Sequence, residues 1–179
     1  MSTLITLPFS PLPLIVGDAQ TKLSAADFSA DVIADIESAI ADRINTYRSS
    51  IGINPMYSNN SDFYRDDLVL HNQSLINQNL TATAGTLILN HDEFADRAEK
   101  YYINSEATTV TVSELVAATR NVAPDDIALT VVSAFQNSPD HDSILLSGYF
   151  DTYTVIALNY SEALDLTFIT ISVVSENFD

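Results

Sequence analysis

Apolar positions between residues 27 and 50 recur at the spacing of a helix. In "LSAADFSADVIADIESAIADRINTYRSS", Val32, Ile36, Ile40 and Ile44 stand four apart, with Ile33 and Tyr47 widening the stripe. A helix burying one face produces that pattern, and Gly52 and Pro55 end it. A polar Asn/Ser turn then opens "MYSNNSDFYRDDLVLHNQSLINQNL". This stretch predicts a second helix with Phe63, Leu68, Leu75 and Leu80 among its apolar positions and Ser61 or Asp62 as its cap. Asp92 and Glu93 open a shorter helix in "NHDEFADRAEKYY", where their charges suit a helix N-terminus. In "APDDIALTVVSAFQN", Pro124 fits a first helical turn followed by Asp125 and Asp126, and Pro139 lies beyond the end.

Elsewhere the residues favour strands. "ATTVTV" is β-branched and extended, and Ser113 is placed to cap a turn beginning at Glu114. "DTYTVIALNY" and "LTFITISVV", separated by "SEALD", read as an antiparallel hairpin. Helices first and strands concentrated late predict an α+β fold, not alternating β-α units.

The opening "MSTLITLPFSPLPLIVGDAQ" is apolar, but Pro8, Pro11 and Pro13 interrupt any helix and no basic residue precedes the apolar run. It therefore reads as an extended or polyproline-like arm and not as a signal helix. An apolar terminus is ordered only when docked, so the arm is expected on its own domain or on a neighbouring subunit. The division predicted is an arm over residues 1–26 and one domain over residues 27–179.

Composition narrows the function. The net charge is -17 although only 17% of the 179 residues are charged, because Lys22 and Lys100 are the only lysines. Such a surface repels phosphate backbones and anionic lipid, which excludes nucleic acid and membrane surfaces as partners. No run approaches the roughly 20 apolar residues that span a bilayer, so no membrane insertion is expected. Cations are attracted, but no D-x-[DN]-x-[DN]-G loop is present to hold calcium. The absence of cysteine excludes disulfides, thiolate metal sites and cysteine nucleophiles.

Three segments carry a likeness. "INTYRSSIGINPM" matches an N-x-Y-R-x-x-x-G-x-x-P-L pattern through Asn45, Tyr47, Arg48, Gly52 and Pro55. "LNHDEFADRAEKYY" matches S-H-D-x-F-x-D-R through His91, Asp92, Phe94, Asp96 and Arg97. "AFQNSPDHDSIL" matches W-x-N-S-P-G-H-R-x-N-I-L through Asn137, Ser138, Pro139, His141, Ile144 and Leu145. In this order the chain resembles, from about Ile40 to Val174, the bacterial branch of the CAP superfamily (the cysteine-rich secretory, antigen 5 and pathogenesis-related domain, also called SCP-like). The resemblance implies a three-layer α-β-α sandwich closed by an antiparallel hairpin, with a cleft that displays histidines and acids. Its metal set maps onto His91, His141 and Glu114. The residues alone name no cofactor; the resemblance admits a divalent metal, zinc or calcium, whose bound water could serve hydrolysis.

The departures are specific. Phe135 replaces the family's tryptophan, and Asp140 and Asp142 replace the glycine and arginine around the histidine. Ser113-Glu114-Leu115 is the remnant of a G-E-N-I turn, and a second cleft glutamate has no counterpart. His71, alone on its helix, reads as a boundary or hydrogen-bonded residue. Ser138 lies near His141 without a G-x-S-x-G elbow. Sequons at Asn59, Asn72, Asn79 and Asn159 matter only on a eukaryotic secretory route.

Three accounts of function follow. The first is a non-catalytic extracellular or cell-surface module that binds a ligand or builds structure, self-associating as a homo-oligomer through its arm. The second is a subunit of a filament, appendage or virion. The third is a metal-dependent hydrolase working in a His91/His141 cleft.

Overall fold

A computed structural model describes residues 3–8, 10–18, 22–58, 62–147 and 151–178. The first elements are β1 (Thr3–Pro8), β2 (Ile15–Val16), a 3-10 turn (Ala25–Phe28), α1 (Ala30–Ser50) and β3 (Tyr57–Ser58). They are followed by α2 (Asp62–Thr81), α3 (Phe94–Asn104), β4 (Thr109–Arg120) and α4 (Pro124–Gln136). The chain closes with α5 (Pro139–Leu145), β5 (Asp151–Ser161) and β6 (Leu166–Asn177). Asn59 and Ser61, and the side chain of Phe63, lie outside the described residues.

One mixed sheet carries the molecule, in the order β1-β4-β6-β5-β3, with β2 also on β4. β4, β6 and β5 are antiparallel, with Glu114 opposite Ser172 and Ser172 opposite Val155. Side chains alternate across a strand, so this register sorts the core into two faces. Leu115, Ala117, Ile169, Ile171, Ile156 and Leu158 pack with α1, α4 and α5. Val110, Val112, Val116, Phe168, Val174, Val155 and Ala157 face the other way, towards α2 and α3. The result is an α-β-α sandwich. Because both faces are covered, the central strands are buried along most of their length, Thr, Ser and Glu114 included.

β4 is longer than its sequence predicts. Glu114 sits in mid-strand and begins no turn; the segment Glu114–Thr119 has helix-forming residues, but ladders on both sides override that preference. α5 was not predicted either, since Pro139 starts a helix instead of marking space after one. Its signals are those of a helix start, proline at the first position with Asp140 and Asp142 in the first turn. In α2, Leu68 and Leu75 are buried as expected, whereas Leu80 is exposed.

The arm is extended and lies on its own chain. β1 runs parallel to β4 from the Thr3–Thr109 pair to the Pro8–Glu114 pair, and β2 pairs Ile15 and Val16 with Thr119 and Arg120. Between them Pro11 and Pro13 have no N–H to donate, and Leu12 donates its N–H to the Val116 carbonyl at 3.1 Å. Gly17 ends the pairing where a Cβ would meet the Asn121 carbonyl at 2.4 Å.

The opposite margin of the sheet is closed by side chains. Glu37 of α1 accepts from the Leu158 N–H of β5 at 3.1 Å and is gripped by both donors of Arg65 from α2. The ion pair thus reaches round the edge strand from one helical layer to the other, which blunts that edge.

Candidate functional site

Residues from the N-x-Y-R likeness hold α1 to the segments beside it. The Asn45 amide donates to the Met56 carbonyl and accepts from the Met56 N–H. Arg48, 1% exposed, donates to the carbonyls of Asn54, Leu145 and Ser147 at 2.6–2.7 Å. The Tyr47 hydroxyl donates to Asp142 at 2.8 Å, giving that departure from the family pattern a structural job. α1 itself stops in a Schellman arrangement. Gly52, at φ +79°, donates to the Ser49 carbonyl, and Ile53 donates to that of Arg48.

Glu114 projects from β4 towards α2 and α3, among Val110, Val112 and Val116, and is fully buried. A lone carboxylate there would be untenable. Arg97 of α3 resolves it with a fork: Nη2 lies 2.7 and 2.8 Å from the two Glu114 oxygens and Nε lies 3.2 Å from Oε2. Arg97 Nη1 donates to the Asp92 carbonyl at 2.6 Å. His91 Nδ1 donates to Glu114 Oε1 at 2.9 Å. Burial pushes the Glu114 carboxyl up, but the His91 hydrogen bond and the Arg97 charge outweigh it and hold the group below the usual range.

His71 belongs to the same cluster and shares a hydrogen bond with the Asn90 backbone, in keeping with the hydrogen-bonded residue its sequence context suggests. It is 4% exposed, its Nε2 has no partner, and Arg97, Glu114 and His91 all act on it electrostatically. Burial first, and then the Arg97 charge, push its pKa down to about 4. Its position three residues after Leu68 and four before Leu75 marks the buried stripe of α2. Together with Asp67, Asp92, Asp96, Arg97 and Lys100 it lines a cavity of about 220 Å³ between α2 and α3.

His141 lies in the opposite helical layer, on α5 against the Phe135 ring 5.4 Å away. Both its nitrogens have protein partners: Nδ1 accepts from the Ser138 hydroxyl at 2.6 Å, and Nε2 donates to the Ser10 carbonyl of the arm at 2.7 Å. Burial lowers its pKa against the pull of Ser10 and Asp140. The structure therefore joins His91 directly to Glu114, while His141 hydrogen-bonds to Ser138 and Ser10 and meets His91 only through its charge. Ser138 is paired with His141, but the imidazole's other nitrogen meets a neutral carbonyl where a Ser-His-Asp arrangement has a carboxylate.

The three residues of the implied metal set do not fit an ion as they stand. A catalytic zinc needs converging donors and an open position, whereas Glu114 is committed to a cation that the protein supplies itself. Among the described residues no group of three His, Asp or Glu side chains is gathered to hold a metal. Two of the sequon asparagines are committed as well. The Asn72 amide is buried between the Ala157 carbonyl and the Thr170 hydroxyl, and Asn79 bonds Leu75 and Ile88.

The arrangement is similar to that of a solved structure. The latter is the crystal structure of a cysteine-rich secretory protein from Staphylococcus aureus subsp. aureus Mu50, with a TM-score of 0.53 and 15% sequence identity over 83% of this chain. The fold is CAP-like. The match covers 40% of the staphylococcal protein, so this chain corresponds to less than half of that protein's length. No protein-family model matches the sequence, and no curated protein does so. At this identity the likeness is one of fold, and what the CAP-like cleft does here has to be argued from its own side chains. No helix among the described residues is long and apolar enough to cross a membrane.

Proposed function

We propose that this chain is a non-catalytic CAP-like module with an extracellular binding or structural role. The observation that supports it most is the closure of the candidate site upon itself. A general base has to reach the proton it removes. Here Glu114 is fully buried under Arg97 and His91, and both nitrogens of His141 are taken by Ser138 and Ser10. Side chains so engaged stabilise a scaffold; they are not poised to move protons on a substrate. The test is hydrolysis of a panel of esters, phosphoesters and peptides by the intact chain, His91→Ala and His141→Ala. All three are expected at the buffer rate. Turnover that either substitution removes would return the hydrolase to first place.

Assembly into a filament, appendage or virion is the second reading. β4 of its own chain takes one edge of the arm's backbone and β1 is itself the margin of the sheet, so support comes from that outer edge and from Ile5 and Val16, which are 42% and 64% exposed. Exposed apolar residues on an edge strand invite pairing with another chain.

A further inference from the structure

We infer that Arg97 is the resident cation of the CAP-like cleft, and that its guanidinium excludes a divalent metal from Glu114 and His91. The cluster has the chemistry of an ion site: one carboxylate without solvent, one imidazole bonded to it, and a second imidazole, His71, with an unpartnered buried nitrogen. What it lacks is a free carboxylate oxygen. The guanidinium touches both carboxylate oxygens and anchors its third nitrogen on the Asp92 carbonyl, so it is fixed at both ends. A planar fork of donors matches a carboxylate in two bonds, which no point charge does. Any dication bound at Glu114 would lie in contact with this positive charge, in a setting too buried for solvent to screen the repulsion.

The position of Arg97 follows from the sequence. It is one turn into α3, three residues after Phe94, and both are buried against the sheet. Helical spacing therefore delivers the guanidinium to Glu114 as surely as it delivers Phe94 to the core. His71 is left neutral beside it, first by its burial and then because a protonated imidazole would face the same fixed charge.

Chemical rescue tests the inference. Arg97→Ala should lose roughly 5–10 °C in Tm, and millimolar methylguanidinium should restore part of that loss while zinc or calcium chloride restores none. Recovery with zinc and not with methylguanidinium would overturn the inference, since the cavity would then select a compact dication. If Arg97→Ala does not fold, equilibrium dialysis of the intact chain against zinc in 0.3 M salt (roughly a 6 Å screening length) decides the matter. The expected result is zinc only in the loose, salt-displaced atmosphere that a -17 surface collects. One tightly held ion per chain, lost in His91→Ala, would refute it. The inference shares the Glu114 geometry with the non-catalytic reading, yet the two fail separately. Tight zinc without turnover sinks only the resident cation, and metal-free turnover sinks only the non-catalytic module.

Discussion

His71 shows what a single buried titratable group does to a small domain. Its folded pKa of about 4 lies below the ordinary histidine value of 6.5, so the folded state holds it neutral while the unfolded chain protonates it. Stability is therefore full above about pH 6.5 and falls as pH drops towards 4. The shift corresponds to roughly 3 kcal/mol. His141, lowered in the same direction, adds to the slope, and Glu114 adds its own loss below its unfolded value of 4.5. His71→Gln should flatten, without abolishing, the pH dependence of urea-unfolding midpoints between pH 6.5 and 5. An unchanged slope would assign the acid sensitivity elsewhere. The sequence hid its place in the cluster because a lone histidine on an amphipathic helix looks like a boundary or hydrogen-bonded group. Only the fold brings α2, α3 and β4 together around it. Glu114 and His91 stand in segments that carry the family likeness, whereas nothing in the sequence marks Arg97 as their partner, because the pairing is made only when α3 packs on β4.

At the scale of elements, helices with a clear period were readable and those defined by tertiary context were not. α1 and α4 announce themselves by spacing, by Gly52 after the first and by Pro124 at the start of the second. α5 has only seven residues, too few for a period, and β4 contains a charge that a strand tolerates only because Arg97 waits on the facing helix. The joint between α1 and α5 depends most on Arg48, whose three carbonyl partners come from two separate segments. Arg48→Lys keeps the charge but loses the fork, and should cost about 2–3 kcal/mol by leaving buried carbonyls unpaired. Tyr47→Phe removes a bond at the rim of the same joint and should cost less than about 1 kcal/mol. Guanidinium chloride unfolding of both variants checks the order; equal losses would mean that the joint is held by packing and not by Arg48.

For the molecule as a whole, the α+β class was legible from the helix-then-strand order, whereas the layering was implied by the family likeness alone. The arm's docking site could not be read at all, because pairing with its own β4 and pairing with a neighbour's β4 satisfy the same backbone groups with the same side chains. That equivalence keeps exchange between copies physically cheap even though the structure closes the arm on itself. The chain has no cysteine, so a pair introduced at register partners reports on this choice without background. Ile5 and Thr111 are such partners across β1 and β4. Ile5→Cys with Thr111→Cys, oxidised or joined by a short bis-thiol reagent, should give one covalently closed chain on a denaturing gel at every protein concentration. A ladder of covalent multimers that grows with concentration would mean that arms pass between copies, and the assembly reading would then displace the self-contained module. Closure within one chain also makes the arm a cover: it shields the β4 edge and seats the Ser10 carbonyl on His141. A chain lacking residues 1–16 should therefore associate more readily than the intact one, in the direction opposite to removal of an oligomerisation arm.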